Sequence, residues 1–231
     1  MTAHDQQETS PLSLRVAVVD YDAGNLLSVT RALAAVGVEA FLAPDAASVL
    51  SGDAVILPGV GAAGDAMRAL RERKLVEPIH AAVASGRAFM GVCLGQQLLF
   101  DSSDEDGGVA CLGLLPGGCH KFPAGRKVPH MGWNNVTFRY DHPLVTGIPD
   151  GAQFYFVHSY YVQPRDDATV LGTTDYSVTF SSIVAHENVL GVQFHPEKSS
   201  TNGLQLYRNF AAFADSLRFN APPFAPMRHN V

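Results

Sequence analysis

The sequence predicts an α/β protein with a mostly parallel central sheet covered by helices, and an additional antiparallel, strand-rich part in its second half. Three observations carry this. Short apolar runs in the first half alternate with segments whose apolar residues recur every three or four positions. Those runs are too apolar for a sheet with one face in water, so helices must cover both faces. After Leu112 the helical spacing gives way to strand-like runs with short gaps between them, as in hairpins.

Each element can be justified in turn. Residues 1–12 are polar and read as a loose, disordered tail. Leu14 to Asp20 is a doubly buried strand, and Asp20 to Asn25 a turn. Leu26, Val29, Leu33 and Val36 form one helical face, stopped at Gly37. A strand over Glu39 to Leu42, a short helix near Asp45 to Leu50 and a strand over Ala54 to Leu57 follow. Helices are expected over Ala62 to Arg73 and Leu75 to Ser85, then a strand over Ala88 to Val92 and a helix over Leu94 to Phe100. Asp101 to Gly108 reads as a solvated acidic loop. Strands are expected over Gly118 to Phe122, Asn135 to Tyr140, Gln153 to Val162, Thr169 to Thr174, Phe180 to His186 and Val189 to Phe194. Ser200 or Thr201 caps a last helix with Leu204, Tyr207, Phe210, Ala214 and Leu217 on one face. Residues 13–218 thus read as one domain, and 219–231 as a Pro-rich tail.

Composition narrows the function. A hydrophobic share of 47% excludes general disorder, and a net charge of −6 without a basic run argues against nucleic acid or an anionic membrane as partner. No run approaches the ~18 apolar residues of a membrane span. The three cysteines, Cys93, Cys111 and Cys119, form no CxxC pair, which speaks for a reducing cytoplasm rather than a disulfide framework. No metal is expected, because no His stands at ligand spacing.

The chemistry centres on Gly91-Val92-Cys93-Leu94-Gly95. Strand, tight turn and helix with a cysteine between two glycines is the sulfur version of the nucleophile elbow. A Cβ at Gly91 or Gly95 would crowd the turn, and the helix start behind Cys93 favours a thiolate. The plain alternative is a buried structural cysteine. A nucleophile needs a base with an orienting group, and His195-Pro196-Glu197 offers both on one face of an extended segment. The alternative there is a surface His beside a Glu. Gly59, Gly61 and Gly64 match a dinucleotide fingerprint, but no acidic residue ends the next strand. A loop presenting backbone N–H groups to an oxyanion is the competing reading. His130 to Asn134, which contains Trp133, suits a loop or interface better than a core.

With these residues in view, the chain resembles the class I (triad) glutamine amidotransferases, whose domain is flavodoxin-like. More narrowly, it is similar to the glutaminase subunits of imidazole glycerol phosphate synthase. The narrower likeness rests on Asp20-Tyr21, Gly24-Asn25-Leu26, Leu57 to Gly61, Pro129 to Asn134, Tyr155 to Tyr160 and Gln193 to Ser199. Two positions depart from the pattern: Asp22, where a small residue is usual, and Gln96, where Met is frequent. The resemblance implies Cys93, His195 and Glu197 as catalytic triad, with no cofactor. It implies an oxyanion hole from the backbone N–H of Val60 and Leu94, and glutamine held by Gly59, Gly61, Gln97, Ser159 and Tyr160. It also implies a heterodimer with a (β/α)8-barrel cyclase subunit, met through Asn25, Trp133, Tyr155 and Lys198, to which ammonia passes. Two rivals remain open: a glutaminase serving another synthase, such as anthranilate or aminodeoxychorismate synthase, and a flavodoxin-like nucleotide-binding module.

Overall fold

The computed structural model describes residues 14–22 and 24–220, with backbone alone at 219 and 220. The tail read at 1–12 and the Pro-rich stretch beyond 220 lie outside the described residues. The first half alternates as expected: β1 (Arg15–Val19), α1 (Leu26–Ala35), β2 (Glu39–Ala43), α2 (Ala46–Ser51), β3 (Ala54–Gly59), α3 (Ala63–Glu72), α4 (Val76–Ala84), β4 (Phe89–Cys93) and α5 (Leu94–Gln97). The second half holds β5 (Ser102–Ser103), β6 (Val109–Ala110), β7 (Gly117–Lys121), β8 (His130–Phe138), β9 (Ala152–His158), β10 (Tyr160–Pro164), β11 (Val170–Tyr176), β12 (Val178–His186) and β13 (Val189–Val192), and closes with α6 (Ser200–Asn220).

The strands join in one mixed sheet. Its parallel half runs β2-β1-β3-β4-β13, and from β13 it continues antiparallel through β12, β10 and β7. The antiparallel part therefore extends the same sheet. A β8–β9 ribbon hangs from it through β11. Period-two alternation in β1 feeds both faces: Val16 and Val18 pack with Val29, Leu33, Tyr207 and Phe210, while Ala17 and Val19 pack with Met67, Leu70 and Ile79. Local signals act where expected. Gly37 takes φ 80 after α1. The Asp45 side chain caps α2 by accepting from the Ser48 N–H at 2.8 Å.

Four elements differ from the sequence reading. The helix after Cys93 is a single turn, because the Asp101 N–H is drawn to the Gly117 carbonyl at 3.1 Å and the chain leaves the helical path. The stretch from His130 is strand rather than loop, registered residue by residue with β9. The run Gln153 to Val162 breaks at Ser159, since β9 pairs with β8 and β10 pairs with β7 and β12. The acidic segment contains β5, which pairs with β6 directly after it, and its Glu105 carboxylate accepts from the Ala63 N–H at 2.6 Å, at the start of α3. It is thus anchored to the fold as well as solvated.

Candidate active site

Three neighbouring parallel strands, β3, β4 and β13, end side by side. Gly59 is in register with Cys93, and Val192 with Val92. Ligand sites in open α/β sheets lie at such carboxyl ends. A cavity of about 410 Å³ opens there, lined by Val60 and Gly61 after β3, by Cys93, Leu94 and Gln97 at the elbow, by Val157 to Tyr160 at the break between β9 and β10, and by His195 after β13.

Cys93 sits at φ 56, ψ −112, a backbone conformation that side chains rarely adopt. The flanking glycines make this possible through space. A Cβ at Gly95 would fall 1.8 Å from the Leu57 carbonyl oxygen, and one at Gly91 would fall 2.5 Å from the Gly95 carbonyl oxygen. The strand, the helix turn and β3 thus pack backbone to backbone. One helical turn carries little of the dipole expected behind the thiol, so side-chain neighbours matter more. Besides His195, the sulfur meets the Gln193 side-chain amide nitrogen at 3.8 Å and, from the backbone, the Val157 carbonyl at 3.9 Å.

His195 and Glu197 form a buried pair, Nδ1 to Oε1 at 2.7 Å, with side chains 2% and 0% exposed. The Nε2 edge is buried and makes no hydrogen bond among the described residues. Burial alone would make the ring shed its proton. Cys93 on one side and Glu197 on the other outweigh this and raise its pKa to about 10. Burial likewise disfavours the Glu197 carboxylate, but the His195 hydrogen bond and charge hold its pKa below the ordinary value. Asn25 adds to this, donating from Nδ2 to Glu197 Oε1 at 2.5 Å. Asn25 stands at φ 78, just before α1. An imidazolium oriented by a buried carboxylate beside a thiol can move a proton between the sulfur and a leaving group.

A second buried histidine pair backs the opposite wall. His158 Nδ1 faces the Tyr160 carbonyl at 2.7 Å, so that nitrogen carries the proton and Nε2 accepts from His130 Nδ1 at 2.9 Å. His130 Nε2 then accepts from Asn134 Nδ2 at 3.2 Å. Burial lowers the pKa of His158 to about 3 and of His130 to about 4, so both rings are neutral.

The structure brings Cys93, His195, Val60, Leu94, Gly61, Gln97, Ser159 and Tyr160 around one cavity. Gly59 lies beneath it, where a Cβ would meet the Tyr21 hydroxyl at 2.7 Å. Glu197 stands behind His195. Trp133, 52% exposed, pairs with Tyr155 across β8 and β9, their rings 6.2 Å apart. Lys198 Nζ lies 5.9 Å from the Tyr155 ring centroid, so these three form one patch. Asn25 joins them to the site through Glu197. The roles of Gln193, His158 and His130, and the Asn25–Glu197 bond, were not read from the sequence; each depends on contacts across strands. Among the described residues, no group of three or more His, Cys, Asp and Glu could hold a metal ion, and no helix is long and apolar enough to cross a membrane.

Residues 17–213 match the family model described as glutamine amidotransferase class-I. The chain is 49% identical over 199 residues to the imidazole glycerol phosphate synthase subunit HisH of Dehalococcoides mccartyi (strain CBDB1), covering 86% of this chain and 97% of that one. It is 49% identical over 195 residues to the HisH of Moorella thermoacetica, covering 84% and 93%. The HisH of Natronomonas pharaonis is 47% identical over 213 residues, covering 89% and 98%. Among solved structures, a glutamine amidotransferase superposes with a TM-score of 0.69 at 22% identity, covering 87% of this chain and 98% of the other. The PurLQS of Thermotoga maritima gives the same score at 20% identity, with the same coverage. At that identity the two structures establish the fold alone.

Proposed function

The chain belongs to the class-I glutamine amidotransferase family, and from that premise we propose that it is the glutamine-hydrolysing subunit of imidazole glycerol phosphate synthase. One observation carries the chemistry: Cys93, strained at an elbow, lines one cavity with His195, whose other ring nitrogen is tied to buried Glu197.

Cys93 attacks the side-chain amide carbon of glutamine as the thiolate, its proton already resting on His195 Nε2, as the raised pKa of the ring favours. The tetrahedral oxyanion is received by the backbone N–H of Leu94 and Val60. His195 returns the proton to the amide nitrogen, the C–N bond breaks and ammonia leaves a γ-glutamyl thioester. Water, deprotonated by His195, then releases glutamate and restores the thiol. Glu197 keeps the ring oriented and stabilises its charged form. Gln97, Ser159, Tyr160 and the backbone at Gly59 and Gly61 hold the amino-acid end of the substrate.

Ammonia then passes to a cyclase subunit, a (β/α)8 barrel, which completes imidazole glycerol phosphate and the aminoimidazole carboxamide ribotide in histidine biosynthesis. The two subunits form a heterodimer in the cytoplasm. The patch of Trp133, Tyr155 and Lys198, with Asn25 beside it, is the docking face. Its large, half-exposed ring supports this reading, since a lone Trp at the surface favours an interface. Val60, 41% exposed, lies on the loop the partner controls.

Glutaminase activity measured with and without the cyclase subunit and its nucleotide ligand tests the whole reading. Slow hydrolysis by the chain alone, strong acceleration in the complex, and none with Cys93→Ala are expected. Substantial turnover by the Cys93→Ala chain contradicts the nucleophile, and full activity without the partner contradicts the control.

A further inference from the structure

We propose that Gln193 is a positioning residue for the Cys93 sulfur, its side-chain N–H donating to the thiolate and holding it ready for attack. The proposal rests on the reading of Cys93 as the nucleophile.

The orientation of the Gln193 amide follows from its neighbours. Gln97 Nε2 lies 3.0 Å from the Tyr160 carbonyl oxygen, which can only accept, so the Gln97 atom there is nitrogen. That same nitrogen lies 3.1 Å from the Gln193 side chain and must meet an acceptor, so the Gln193 atom facing it is Oε1. Gln193 Nε2 therefore points the other way, to the Cys93 sulfur at 3.8 Å. The Gln193 backbone is pinned as well, its N–H donating to the Ser182 carbonyl at 2.9 Å.

Gln193 is wholly buried, at 0% exposure, directly after a strand with no polar side chain. A buried amide there costs stability unless both ends are satisfied. Its oxygen is satisfied by Gln97 and its nitrogen by sulfur. An N–H that only donates favours a full negative charge over a neutral thiol, a weak acceptor. Besides His195, which faces the sulfur as its proton partner, the Val157 carbonyl acts in the opposite sense, accepting from the protonated thiol. Gln193 thus adds a donor on the thiolate's side, opposed to the Val157 carbonyl. Through Gln97 it also couples the sulfur to the wall at Tyr160.

The test is alkylation of Cys93 by iodoacetamide as a function of pH, in the wild-type chain, in Gln193→Glu and in Gln193→Met. Glu keeps the acceptor for Gln97 but turns an oxygen towards the sulfur; Met removes both polar ends at similar length. At pH 7 alkylation should fall about tenfold in Gln193→Glu and severalfold in Gln193→Met, as a loss of thiolate requires. The gap should close as pH rises, because every thiol is then ionised. Equal slowing at every pH would mean altered access and would overturn the proposal, as would no slowing. Glutamine kcat should fall while KM holds; a rise in KM alone would assign Gln193 to Gln97 and substrate binding instead. In the unmutated chain, the Gln193 side-chain amide resonances should titrate in step with the thiol. A flat response there overturns the proposal even if neither variant folds. Failure of the underlying reading looks different: the wild-type chain with its cyclase would then show no Cys93-dependent glutaminase activity.

Discussion

Gln96, next to the elbow glycine, is fully buried, and its departure from the methionine frequent in the family can be weighed in energy. Its Nε2 donates to the Ser181 carbonyl at 3.3 Å, a long bond. Its Oε1 has no partner among the described residues. Gln96→Met keeps the length of the side chain and removes both polar atoms. The lost hydrogen bond costs about 1 kcal/mol at most, while relieving a buried acceptor without a partner returns about 1–3 kcal/mol. The net expectation is about 1 kcal/mol of added stability, or a melting temperature higher by about 2–4 °C for a chain of this size. Urea denaturation should show a higher midpoint with an unchanged slope. Glutaminase activity in the complex should be retained. A lower midpoint at unchanged slope would refute the reasoning and mean that Oε1 is served by a bound water.

Three further outcomes are expected. Gly95→Ala places a Cβ 1.8 Å from a backbone oxygen that cannot rotate away, so it should cost about 3 kcal/mol or more and show as a collapse in melting temperature; near-native stability would mean that the elbow is loosely packed. Asn25→Gly preserves the left-handed backbone at φ 78 while deleting the bond to Glu197; it should lower kcat about tenfold, as loss of a charge-assisted hydrogen bond implies, with little change in the KM for glutamine, and a change in KM alone would place Asn25 outside the proton-transfer machinery. The raised pKa of His195 means that the folded chain binds this proton more tightly than the unfolded one. The resulting stability is whole below the ordinary value of 6.5 and is lost as pH rises towards about 10. The denaturation midpoint should fall across that window, and less so in His195→Asn; identical profiles would contradict the ion pair.

Much of this arrangement is legible in the order of residues. Apolar runs within Leu14 to Asp20 and over Ala88 to Val92 announce buried strands, because burial on both faces needs no alternation. The elbow is readable because two glycines bracket a cysteine, and the coordinates give each a backbone atom that a Cβ would strike. His195 and Glu197 are readable because a two-residue spacing puts them on one side of an extended chain. What escapes is set by contacts distant in sequence. Asp101 hydrogen bonds to Gly117 and cuts α5 to one turn, which no local propensity within 94–100 encodes. Ser159 breaks a continuous aromatic run because its two sides pair with different strands. The neutral histidine pair is recognisable only when β8 and β9 set His130 opposite His158.

The backbone angle at Cys93 has a consequence for how this protein can change over generations. Only glycine would sit at φ 56, ψ −112 without strain, and glycine has no sulfur. Selection for robustness and selection for turnover therefore pull on the same peptide unit in opposite directions. A lineage that no longer needed the reaction would be expected to let that position relax first, while the glycines beside it stay held by the backbone atoms a Cβ would strike.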